Sequence, residues 1–114
     1  MKVNYKEIFK LKTMLDSENI DYEFYDRSIT NMKDEFNILH FQIIIYKDKD
    51  KKQRLISVIE GTYTYGSEYD KLEIMGCLTE DEEKIDSVTG YLTAEEVFNR
   101  IIKNIDKEVI KSDK

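Results

Sequence analysis

The heptapeptide Tyr63-Thr64-Tyr65-Gly66-Ser67-Glu68-Tyr69 places three aromatic rings among hydroxyl-bearing neighbours, where plain solubility would favour Asn, Asp or Lys. Tyrosine offers rigid contact area with a polar tip, the chemistry used by interfaces and by pockets that stack planar ligands. Shortly after it comes the acidic run Glu80-Asp81-Glu82-Glu83. Between Ser57 and Glu96 the chain holds 11 acids against two bases, Lys71 and Lys84, a local charge of −9. The remainder carries 13 acids and 16 bases, or +3, so the net charge of −6 is a lopsided sum. Such a field imitates nucleic acid or steers the chain towards a basic partner. Tyr63, Tyr65, Ser67, Glu68, Tyr69, Glu80, Asp81 and Glu83 are therefore the candidate binding residues. Tyr63 and Tyr65 could equally continue a strand pattern with one face in the core, and the two readings are compatible.

Other chemistries find little support. His40 is the one histidine and is flanked by Leu39 and Phe41; a catalytic imidazole needs an orienting acid and a nucleophile, and no nucleophile motif is present. Cys77, between Gly76 and Leu78, reads as a small core hydrophobe, because surrounding acids would raise rather than lower a thiol pKa. The acids at 80–83 lack the alternation around a glycine turn that a calcium loop requires, and acids opening a helix complement its dipole. No phosphate-cradling glycine motif occurs. The bases cluster only between Lys47 and Arg54, and a pI near 4.9 argues against direct nucleic-acid binding. No enzymatic activity, cofactor or metal is expected.

At 114 residues the chain should form one domain, 1–114. It is 37% charged yet carries periodic Ile, Leu, Val, Phe and Tyr, enough to offset chain entropy by burial. No run approaches the ~20 apolar residues of a membrane span, no signal-peptide core follows the N-terminus, and one cysteine cannot form an internal disulfide. A soluble cytoplasmic protein is expected.

To position the candidate residues, the sequence predicts the order α-β-β-β-β-(α)-α, an α+β fold with an antiparallel sheet of three to four strands covered by an N-terminal and a C-terminal helix. Ile8, Leu11 and Leu15 mark a helix over residues 4–17, with Asn4 as its cap and Asn19 as the left-handed residue that ends it. Ile20, Tyr22 and Phe24 alternate as a strand, and residues 27–37 read as a loop or one helical turn. Residues 39–46 and 54–60 are central strands joined by a charged hairpin. Residues 71–75 alternate as a fourth strand, although a helix over 69–75 is an open alternative. Thr79-Glu80-Asp81-Glu82 and Thr93-Ala94-Glu95-Glu96 are capping boxes. The first opens a short helix stopped by Asp86-Ser87. The second, with a Leu92–Val97 staple, opens a helix whose stripe is Val97, Phe98, Ile101, Ile102, Ile105 and Val109.

Thr62-Tyr63-Thr64-Tyr65-Gly66-Ser67, Leu72-Glu73-Ile74-Met75-Gly76, Leu78-Thr79 and Leu92-Thr93-Ala94-Glu95-Glu96-Val97-Phe98 together resemble a family of small proteins from phages and prophages of Gram-positive, AT-rich bacteria. Members tend to show Gly-Ser-Tyr-Gly where this chain has Thr62-Tyr63-Thr64-Tyr65-Gly66. The likeness spans roughly the second half of the chain and brings no catalytic residue with it. It implies a mobile-element origin and accessory roles such as host takeover or inhibition of bacterial defence. The expectation is a non-enzymatic accessory protein that binds a host protein with a basic surface. Two alternatives stay open: a sponge for a nucleotide-like signal held between rings, with cations from Lys71, Arg54 or a second chain, and a structural or self-associating phage component.

Overall fold

The computed structural model describes residues 6–30, 37–48, 50–51, 53–61, 70–77, 84 and 88–108. Two helices and seven strands lie within them: α1 (Glu7–Ser17), β1 (Glu23–Asp26), β2 (Ile29–Thr30), β3 (Asn37–Ile38), β4 (His40–Tyr46), β5 (Arg54–Gly61), β6 (Leu72–Met75), β7 (Val88–Leu92) and α2 (Ala94–Glu108). Five strands form one antiparallel sheet in the order β1-β4-β5-β6-β7, and β2 and β3 pair separately. The α+β class with a helix near each end holds, with five strands in the main sheet instead of three to four. Among the described residues no helix is long and apolar enough to cross a membrane.

The helical period of Ile8, Leu11 and Leu15 puts all three on one side of α1, where none is exposed. They meet Ile43, Ile45, Ile56, Val58, Leu72 and Ile74 of the sheet together with Ala94, Val97 and Ile101 of α2. Both helices therefore cover the same face. Asn19 ends α1 with φ 57°, and the amide of Ile20 returns to the Leu15 carbonyl at 3.0 Å.

Four local expectations shift. The helix starts at Glu7, and Asn4 lies outside the described residues; Lys6 at the cap makes no side-chain bond. The first strand runs over Glu23–Asp26, because pairing with β4 extends from Glu23↔Ile44 to Asp26↔Phe41 while Ile20 is spent closing the helix. Residues 29–30 and 37–38 form short paired strands, carried on from the β1–β4 pair through Arg27 N–H to His40 O at 2.8 Å. A fifth strand, β7, occupies Val88–Leu92 just before α2. Its register against β6 slips between Leu72 and Ile74, and Tyr91 takes φ 61° there, the local cost of a bulge at a sheet edge. Residues 71–75 resolve in favour of a strand. The short helix expected after Thr79 falls outside the described residues apart from Lys84, which is helical.

A second bulge lies at the charged hairpin. Ile45 pairs with Ile56 and Tyr46 with Arg54, so Leu55 is the extra residue, and it turns into the same core as Ile56.

Candidate functional site

The candidate residues Tyr63, Tyr65, Ser67, Glu68 and Tyr69 lie outside the described residues, as do Glu80, Asp81 and Glu83. The strand ends that bound their two segments are described. Residues 62–69 leave from Gly61, the last residue of β5, and return at Asp70, just before β6. The segment with the acidic run leaves from the other end of β6, after Met75, and returns at Val88. The anchors thus sit at opposite ends of a four-residue strand, about 10 Å apart at 3.3 Å per residue.

The first pair of anchors is held by a group of carboxyls. Alternation along β5 puts Glu60 in phase with Ile56 and Val58, so it points into the core and is 0% exposed. Its Oε1 accepts the Ile8 amide at 3.0 Å. Asp70 Oδ1 accepts the amides of Lys6 at 2.8 Å and Glu7 at 3.2 Å. Three amides at the start of α1, orphans in an isolated helix, are thereby satisfied by two acids from the sheet side. Glu7 extends the arrangement: its Oε1 accepts the Ala94 amide at the start of α2 at 2.7 Å, and its Oε2 pairs with Lys10 Nζ at 2.9 Å.

One atom remains. Glu60 Oε2 is buried with no hydrogen-bond donor on it. A buried, unsatisfied carboxylate oxygen is costly, and the group responds by keeping its proton. Burial first, and then the neighbouring Asp70, push the Glu60 pKa up to about 9, against the opposing pull of the Ile8 amide. Protonated, Glu60 becomes a donor to Asp70, and the lone oxygen is satisfied.

Gly61 follows at once, and a Cβ there would stand 2.3 Å from the Leu39 carbonyl oxygen, so the strand crossing admits only glycine. Beside these anchors, Phe41 pairs with Glu60 across the ladder and joins Phe9 and Phe24 in a ring cluster. Phe9 meets Phe41 edge-on at 5.2 Å and Phe24 tilted at 5.7 Å. Phe9 is 43% exposed, and Lys12 Nζ lies 5.7 Å over the Phe24 ring.

Over β1, β4 and β5 the sheet face away from the helices is covered by its own side chains, whereas Met75 of β6 is 54% exposed. Arg27 stacks 4.5 Å over Tyr25 and donates to Gln42, which donates to Ser57. Glu23 accepts from Tyr25, Tyr46 and Lys51, and these bonds, led by Lys51, hold its carboxyl below the usual range. Ile44 is only 2% exposed beneath them. Lys51, part of the basic cluster, is thus engaged within the chain. His40 opens β4, where its amide donates to Ser28 Oγ at 3.0 Å. Cys77 is half-buried against the core, its carbonyl accepting from Arg100 at 3.1 Å. Among the described residues no group of His, Cys, Asp and Glu has the arrangement of a metal site.

Sequence reasoning missed Glu7, Glu60 and Asp70, and Phe9, Phe24 and Phe41 with them. A signal for Glu60 was present, since a charged residue in phase with Ile56 and Val58 on a buried face needs a partner. Comparison with family models, with curated proteins and with solved structures gives no match.

Proposed function

We propose that this chain is a phage or prophage accessory protein that binds a host protein, a component of a bacterial defence system, in the bacterial cytoplasm and without catalysis. The observation that carries the binding reading is the two-ended anchorage of residues 62–69. Glu60 and Asp70 are tied to the start of α1 by three hydrogen bonds, so a tyrosine-rich connection springs from a base held to a helix. Recognition residues are typically borne on connections held by such scaffolds. The exposed ring of Phe9, beside these anchors, offers apolar area that extends the contact. The phage origin rests on the motif resemblance.

Within this reading Tyr63, Tyr65, Ser67, Glu68 and Tyr69 make contact, while Glu80, Asp81 and Glu83 act at a distance by drawing in a basic partner. The division follows from the opposite anchor points of the two segments. The nucleotide sponge loses one of its two cations within the chain, because Arg54 opens β5 and Gly61 ends it, about 23 Å away at 3.3 Å per residue.

The test is affinity capture from host lysate, repeated with the retained protein in purified form. Replacing Tyr63, Tyr65 and Tyr69 together by alanine should abolish capture and leave the melting curve intact. Association with the purified partner should slow as salt rises, with dissociation little changed. Undiminished capture by the triple variant, or a nucleotide co-purifying in place of a protein, would overturn the reading.

A further inference from the structure

We propose that Glu60 and Asp70 hold one proton between them, and that this proton latches the start of α1 to the end of β5, so that its loss frees the first turn of α1. The inference goes beyond partner binding and rests on residues 6–8, 60, 70 and 94 alone. Its basis is geometric. Glu60 is fully buried, one oxygen is committed to the Ile8 amide and the other has no donor. The Asp70 carboxyl accepts the amides of Lys6 and Glu7, and Glu60 the next amide along, that of Ile8, which brings the two carboxyls to one helix turn.

Among the described residues, the groups around Glu60 leave few other ways to neutralise it. From α1 comes the Glu7 carboxyl, whose own charge is met by Lys10 and the Ala94 amide. The return into β6 brings Asp70, and both acids act to keep the Glu60 proton in place. Its ladder partner on β4 is Phe41, which carries no charge. The start of α2 contributes its Ala94 amide to Glu7 and not to Glu60. Among the described residues no basic side chain is one of the groups that act on Glu60, so ionisation would put a second negative charge beside Asp70 on a fully buried carboxyl.

Relief then requires opening. Once the first turn of α1 lifts, Glu60 reaches solvent and titrates as an ordinary carboxyl, so the open state binds the proton far more weakly than the closed one. The ratio of open to closed molecules therefore rises with pH across the whole interval between the two titrations, from about 4.5 to about 9. Within that interval it changes roughly tenfold per pH unit. Neutral pH lies inside this window. Glu7 couples the two helix starts, so the Ala94 amide should open with the Ile8 amide.

Amide hydrogen exchange by NMR on the full chain, between pH 5 and 9 and corrected for intrinsic rates, reads this directly. The Ile8 and Ala94 amides should lose protection about tenfold per pH unit. In Glu60→Gln, whose amide can donate to Asp70 while its carbonyl accepts from Ile8, protection should be flat with pH. Parallel slopes in both proteins, or a flat profile in the native chain, would overturn the latch. Should the variant fail to fold, the side-chain carboxyl carbon of Glu60 in the native chain decides. A titration still incomplete at pH 8 sustains the proposal, and one finished by pH 6 ends it.

Discussion

Helix α2 begins on residues that stand beside it in the chain, whereas α1 begins on residues brought from 52 to 64 positions away. At α2, Thr93 Oγ1 accepts the Glu96 amide at 3.1 Å and Glu96 Oε1 accepts the Thr93 amide at 2.8 Å, a complete capping box. At α1, Lys6 contributes no side-chain cap, and Asp70 and Glu60 take over. The difference extends to charge. Glu96 sits in the open, and the Thr93 amide holds its carboxyl below the ordinary range. Glu60 lies in the core, where burial holds it far above that range. One helix start is thus secured by an ionised acid alone, the other by Asp70 together with a protonated Glu60. The local cap works in water and depends on charge; the buried half of the remote cap, Glu60, works in the core and depends on a proton.

The comparison can be broken at its base by asking whether the two helices are held equally well apart from their caps. Ile8 and Ile101 are both 0% exposed and occupy the same core. Ile8→Ala and Ile101→Ala should each cost about 2–5 kcal/mol in denaturant unfolding. Costs that differ by more than that range would trace the contrast to packing, not to capping. A smaller effect separates the caps themselves. Asp70→Ala removes an acceptor from two amides and should cost about 1–2 kcal/mol, against about 1 kcal/mol for Thr93→Ala. An undisturbed melting temperature for Asp70→Ala would show that α1 does not need Asp70 as a cap.

The smallest effect concerns sign. A carboxyl with a lowered folded-state pKa adds stability above its unfolded value and loses it as pH falls through the folded one. Glu96 should therefore secure α2 near neutrality and release it on acidification, opposite in direction to Glu60. Glu96→Gln should flatten the acid limb of the stability profile by a few tenths of a kcal/mol, since the group is exposed and screened. An acid limb identical in the two proteins would remove Glu96 from the account.

The same contrast explains what could be read from the sequence. The Thr93 box stands in the folded chain, Leu92, Val97 and Ile101 lie in the core with Phe98 and Ile105 against it, and Val109, the end of the expected stripe, lies outside the described residues. The two central strands stand as well, since their apolar runs admit no other use. Strand β7 escaped because Gly90 and the bulge at Tyr91 break its alternation, and an edge strand needs β6 beside it to exist. Strands β2 and β3 are too short to show any period. The carboxyl cluster joins residues 7, 60, 70 and 94, and no window of sequence contains them. Of the cluster, only Glu60 carried a local signal, its phase along β5, and that signal went unread.

The bond from the Ala94 amide to Glu7 spans 87 residues and ties the first described turn of the chain to the last described helix. Closing a loop of that length costs entropy that only a nearly finished fold can repay. During synthesis Glu7 emerges long before Ala94, so this bond is absent until the second helix has been made. The contact is therefore a late one in assembly, formed once the sheet has brought the two helices side by side. It is also a seam: when thermal motion lifts either helix start, the other loses a partner, and the early and late parts of the chain loosen together.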